Sequence, residues 1–123
     1  MKNMENLLFL NKCKLLENLD SYKFLLTEGE QVKLEYKNDR SMFIATDQKL
    51  LFIDKSNLLD YISHYIVILL SRINGYLLQV DDNNTCYTVD FIIPGSEIVM
   101  KLALTCKKEN IEELIQFLNN KIN

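Results

Sequence analysis

Between Glu30 and Asp54 the chain reads EQVKLEYKNDRSMFIATDQKLLFID, three short apolar runs separated by compact polar breaks. In the first run Val32, Leu34 and Tyr36 alternate with Lys33, Glu35 and Lys37, giving a strand one buried and one wet face at a period of two. Asn38-Asp39 supplies turn chemistry, a second run goes from Ser41 to Thr46, and Asp47-Gln48 leads into the third, Lys49 to Asp54. Connections this short force antiparallel neighbours, so the pattern predicts a three-stranded meander.

Beyond a polar loop around Ser56 to Asp60, the β-branched and aromatic stretch from Ile62 to Ile68 predicts a fourth strand, and Leu69 to Asn74 has room for one helical turn. Gly75 restarts extended chain. Tyr76 to Val80 and Cys86 to Ile93 flank Asp81-Asp82-Asn83-Asn84, and Pro94-Gly95-Ser96 turns into a seventh strand with Ile98, Met100, Leu102 and Leu104 as its inner row. In the tail, Ile111, Leu114, Ile115, Leu118 and Ile122 recur at steps of three and four. Glu109, Glu112 and Glu113 come early and Lys121 late, the charge order a helix macrodipole favours. That helix is expected to cap an open end of the sheet.

Upstream, Met4, Leu7, Leu8, Leu15, Leu16 and Leu19, with Lys12, Lys14 and Glu17 among them, predict an amphipathic helix from Met4 to Leu19, with Asn3 placed to cap it. This helix either packs on its own sheet or buries its leucines against another chain, so Leu7, Leu8, Leu15, Leu16 and Leu19 are candidate partner or oligomer contacts. The expected fold class is mainly β (α+β): a seven-stranded antiparallel sheet or partly open barrel with a C-terminal capping helix and an extra N-terminal helix. Residues 1–25 form the helical segment and 26–123 the β domain.

At 123 residues and 48% hydrophobic composition the chain can bury the core of one domain. Fourteen basic against 17 acidic side chains leave a net charge of −3, so there is no general positive field for nucleic acid or an anionic bilayer. The apolar patch from Leu7 to Leu10 is too brief for a secretory signal, and the longest apolar run, Tyr65 to Leu70, is far short of the roughly 20 residues that span a bilayer. Cys13, Cys86 and Cys106 are odd in number and lack metal-site spacing, as thiols of a reducing compartment do. These features predict a soluble cytoplasmic protein without a transmembrane segment, metal or cofactor.

Candidate chemistry is sparse. His64 is the one histidine, and neither Ser63 nor Asp60 places it in a nucleophile motif. Asp81-Asp82-Asn83-Asn84 lacks the spaced carboxylates, glycine and final glutamate of a calcium loop and reads as a turn. Tyr36, Phe43, Phe52, Tyr65, Tyr87 and Phe91 lie inside strands, where such rings build core or cross-strand pairs rather than a stacking platform for nucleic acid. Antiparallel pairing gathers Lys37, Arg40 and Lys55 at one rim, with Lys49 about 20 Å away at the other end. Converging on one anion, these three form a weak candidate anion or partner site, which Asp39 and Asp54 beside them oppose.

Thr27-Glu28-Gly29-Glu30, the FIATDQKLLFID hairpin, a strand ending near Ser71-Arg72-Ile73 and the closing helix together resemble bacterial pleckstrin-homology-like (PH-like) domains, over roughly Leu26 to Ile122. The most specific piece runs from Thr46 to Asp54: a threonine, a polar turn, a basic residue and an LLFVD-like strand. The family's serine-isoleucine-proline-tyrosine element corresponds to Ser63-His64-Tyr65-Ile66 or to Leu70-Ser71-Arg72-Ile73, in either case without the proline. The resemblance implies a non-enzymatic scaffold that binds a protein partner or self-assembles. The alternative it implies is peripheral binding of an anionic lipid headgroup or small phosphorylated ligand at the rim of the first loops.

Overall fold

The computed structural model describes residues 7–54, 64–83, 86–95, 100–105 and 108–121. Its strands are β1 (Leu7–Lys12), β2 (Val32–Lys37), β3 (Ser41–Thr46), β4 (Lys49–Asp54), β5 (His64–Leu69), β6 (Gly75–Val80), β7 (Cys86–Ile92) and β8 (Met100–Thr105). They form one sheet in the order β5-β4-β3-β2-β1-β8-β7-β6. The expected seven strands are β2 to β8, and the expected helical turn is a 3₁₀ turn at Leu70–Arg72. Neighbours are antiparallel except β1 and β8, which run parallel with Leu7 opposite Leu102 and Leu10 opposite Leu104.

The helix expected from Met4 to Leu19 is not what Leu7–Lys12 forms; there the chain is a strand. β1 lies between β2 and β8, joining the four-stranded half β2–β5 to the three-stranded half β6–β8. Leu7-Leu8-Phe9-Leu10 is a short continuous apolar run, which periodicity alone does not assign to helix or strand. Asn11 and Lys12 interrupt the helical stripe before it reaches Leu15. Helical structure begins later, as the one-turn helix α1 (Leu19–Tyr22) and a 3₁₀ turn at Lys23–Leu25.

Two cores result. The main one lies between the two halves of the sheet and the terminal helix α2 (Lys108–Lys121), which buries Ile111, Leu114 and Leu118. Phe91 meets Phe43 at 6.1 Å and Phe52 at 5.7 Å between ring centres, tying one half to the other. Burying each of the helix's aliphatic side chains contributes roughly 1.5–3 kcal/mol. The Tyr36 hydroxyl fixes the helix by donating to the Asn110 carbonyl at 3.0 Å, and the Lys12 ammonium lies 3.0 Å from the Glu113 carboxylate. The second core covers the opposite face of the four-stranded half: Val32, Ile44, Leu51 and Ile53 pack beneath Tyr22, with Leu19, Leu25 and Leu26 around it. Residues 13–26 thus form a strap over the sheet, and residues on both sides of Leu26 share this core.

The meander's turns explain its local sequence. The Asn38 side chain accepts the backbone N–H groups of Arg40 and Ser41 at 2.8 and 2.7 Å, closing the β2–β3 turn. At the other end Thr46 Oγ1 accepts from the N–H groups of Gln48 and Lys49 at 3.1 and 3.0 Å and donates to the Glu30 carboxylate. Glu30 in turn pairs with Lys49 at 2.9 Å and accepts the Thr27 N–H at 2.8 Å, while Gly29 takes a φ of +84° that suits glycine. The threonine-glutamate-glycine-glutamate and threonine-aspartate-glutamine-lysine segments therefore make one structural lock around the enclosed Glu30 carboxylate.

Candidate functional site

The strap is held to the sheet by a carboxylate. Glu35 sits on the face of β2 opposite Leu34 and Tyr36, which the alternation assigned to water, yet it is fully buried because the strap covers it. It accepts the Asn18 backbone N–H at 2.8 Å, the Asn18 side-chain amide at 2.6 Å and the Tyr22 hydroxyl at 2.6 Å. Burial, then the hydrogen bond to Glu35, pushes the Tyr22 phenol well above its ordinary value, so it stays the donor. Cys13, whose N–H donates to the Glu35 carbonyl at 2.8 Å, is pushed up by burial and by the charges of Glu35 and Glu17. At neutral pH it is a protonated thiol, poor as a nucleophile.

Between its first residues and α1 the strap turns sharply at Leu16, whose φ is +67°. For a branched side chain this left-handed conformation costs on the order of 1–2 kcal/mol. The turn holds Leu15 and Leu16 each 48% exposed at the mouth of a groove of about 750 Å³. Leu19, Leu26 and Val32 line its apolar wall, and Lys23 and Lys33 stand among its polar residues. The structure thus gathers Leu15, Leu16 and Leu19 of the five candidate leucines. Leu7 and Leu8 belong to β1 in mid-sheet, and their side chains lie outside the described residues.

The candidate anion rim is partly assembled. Registers pairing Asn11 with Lys37, Ser41 with Asp54 and Asp54 with His64 bring Lys37, Arg40 and His64 to one end of the sheet. Lys37 is half-buried and donates to the Asn18 side-chain carbonyl at 3.2 Å, Arg40 is exposed, and Lys55 lies outside the described residues. Asp81 closes its turn by accepting the Cys86 N–H at 3.0 Å. Among the described residues no group of three potential metal ligands converges, and no helix is long and apolar enough to cross a membrane.

A second apolar surface lies at the sheet's end. Tyr36, Phe43, Phe52, Tyr87 and Phe91 enter the core as expected, but Tyr65 does not. It projects from the edge strand β5 on the strap-covered face, at the strap's margin, in a row with Val67 and Leu69. Phe24 meets Tyr65 edge-to-face at 5.4 Å and is itself 68% exposed. The signal was present in the sequence: from Tyr65 to Leu70 there is no charged residue on either face.

No protein family matches the sequence, and no curated protein matches it significantly. Solved structures do match in fold. A DUF1696 family protein with a pleckstrin-homology domain from Shewanella loihica superposes with a TM-score of 0.74 at 19% identity, covering 93% of this chain and 97% of that one. A pleckstrin homology domain from Shewanella amazonensis gives 0.69 at 16%, covering 90% of each chain. A PH-domain-containing bacterial protein from Exiguobacterium sibiricum gives 0.63 at 10%, over 89% of this chain and 58% of that one. The chain has a bacterial PH-like fold.

Proposed function

We propose that this chain is a non-enzymatic, cytoplasmic interaction module that seats an apolar segment of a protein partner in the groove beneath Leu15 and Leu16. The observation that carries the reading is the strained turn at Leu16: left-handed backbone on a branched residue, spent on presenting two leucines to solvent. The groove's wall is apolar, which suits a hydrophobic side-chain anchor better than a phosphate. The polar groups that could carry chemistry nearby are committed to structure: Glu30 to Lys49 and Thr46, Glu35 to Asn18 and Tyr22, Cys13 to a raised pKa. PH-like folds in bacteria fit this reading, although fold alone does not assign it.

The test compares quantitative co-purification from the native host with wild-type bait and with a Leu15→Ser/Leu16→Ser double variant, circular dichroism confirming that both fold. A partner retained by the wild type and lost, by tenfold or more, with the double variant is the expected result. Equal retention by both baits overturns the reading. So does co-sedimentation with phosphatidylglycerol vesicles that falls with salt and with Arg40→Glu, since that places the ligand at the anion rim.

A further inference from the structure

The sheet ends at two edge strands, and among the described residues β5 pairs with β4 alone. Proteins ordinarily blunt such edges with charges, prolines or bulges, because unpaired backbone groups template another chain. β5 has none of these protections. Its register with β4 runs unbroken from His64 to Leu69, so the strand is regular, and no Lys, Arg, Asp, Glu or Pro occurs in HYIVIL. Tyr65, Val67 and Leu69 on its outer face are 37%, 44% and 50% exposed, with Phe24 continuing the apolar surface.

We propose that β5 pairs antiparallel with β5 of a second copy of this chain, about a two-fold axis through Val67. The strand is self-complementary about that residue. Val67 faces Val67 of the second copy and Tyr65 faces Leu69 on one side of the extended sheet, while Ile66 faces Ile68 on the other. Every facing pair inside the strand is apolar, the arrangement an isologous interface requires.

Charge selects the occupant. Two copies that each carry a net charge of −3 repel in most orientations, but a β5–β5 contact brings no like charges face to face. On the neighbouring β4 the two charged residues, Lys49 and Asp54, are buried, and Lys49 is paired with Glu30. The other edge, β6, lacks this symmetry, because Gln79 shares a face with Leu77. The exposed parts of Phe24, Tyr65, Val67 and Leu69 amount to on the order of 400 Å² per copy, against roughly 800 Å² per partner in a standard interface. The dimer is therefore reversible and concentration-dependent rather than obligate. This inference extends the binding-module reading to a second surface and does not use the groove.

The test is light scattering of the purified full chain from micromolar to sub-millimolar concentration. The mass should climb from 14.4 kDa toward twice that value for the wild type and for the Leu15→Ser/Leu16→Ser variant, and stay at 14.4 kDa throughout for Val67→Lys. Under mild oxidation Val67→Cys should give a disulfide-linked dimer that neither the wild type, with its three native cysteines, nor Leu78→Cys on β6 gives. A wild type that remains monomeric, a Val67→Lys protein that still dimerises, or no Val67→Cys crosslink overturns the proposal. Loss of dimer in the groove variant also overturns it and moves self-association to the groove. Failure of partner capture leaves this result untouched, so the two readings fail separately.

Discussion

With its carboxylate fully enclosed and 2.9 Å from the Lys49 ammonium, Glu30 ties the chain before β2 to the turn between β3 and β4. Burial alone would raise its pKa, but the Thr46 hydroxyl, the Thr27 N–H and Lys49 together outweigh it and hold the group below its ordinary 4.5. A carboxylate with a depressed folded-state pKa stabilises above its unfolded value, and that contribution drains away as pH falls through the folded one. The urea midpoint should therefore hold steady from about neutrality to pH ~5 and decline once the pH drops below the ordinary carboxylate range. Glu30→Gln leaves Lys49 buried without its counter-charge, so the variant should lose about 3 kcal/mol at neutral pH and show a shallower acid decline. Parallel acid profiles for variant and wild type would reassign the acid sensitivity to another carboxylate.

At the scale of elements, the strap is the part of the molecule whose attachment differs most from the rest. One backbone bond, from the Cys13 N–H to the Glu35 carbonyl, joins it to β2, and the rest of its attachment is apolar cover from Leu19, Tyr22, Leu25 and Leu26, the three donors that converge on Glu35 and the Lys37 bond to Asn18. Tyr22→Phe keeps the ring and removes one donor from a buried carboxylate, a loss of about 1–3 kcal/mol. Hydrogen exchange should quicken first at the Leu19 and Ser21 amides, which bond within the strap, while Ile44 and Leu51 amides keep wild-type protection. Uniform acceleration across strap and sheet would mean that the strap does not open by itself. The strap also marks where the sequence stopped being legible. Strands β3 and β4 could be read to the residue because period two and short turns are local signals, and Ile111, Leu114 and Leu118 declared the buried stripe of α2. Glu35 gave no such signal: a second layer on the wet face is built by residues 13–22, more than ten positions away, and only that layer turns a solvent-facing carboxylate into a buried anchor. The leucine-rich spacing singled out Leu15, Leu16 and Leu19 as candidate contacts on a helix, but nothing local in Lys14-Leu15-Leu16-Glu17 announces a φ of +67°, which leaves Leu15 and Leu16 exposed while Leu19 packs into the second core.

At the scale of the whole molecule, the aromatic contacts of Phe91 and the strand β1 join the sequence-distant halves β2–β5 and β6–β8. β1 pairs β2 at Asn11 and Lys12 and β8 at Leu7 and Leu10, so its C-terminal end belongs to one half and its N-terminal part to the other. Leu10 is fully buried in the main core at that junction. Truncating it should therefore weaken both halves rather than the nearer one, and Leu10→Ala should cost about 2–5 kcal/mol in a single transition. Amides in β3 and β7, such as Ile44 and Val89, give the check. In wild type and variant alike their midpoints in denaturant should coincide, shifted together by the substitution. Two separated transitions would show that β1 does not couple the halves. The same geometry decides how the N-terminal residues should be probed for binding: deleting everything before Leu26 removes a central strand and the buried Leu10 and Tyr22, one from each core, so a loss of association in that truncation reports unfolding. Point changes at Leu15, Leu16 and Val67, all at the surface, separate recognition from stability because each leaves β1 and the Phe91 contacts in place.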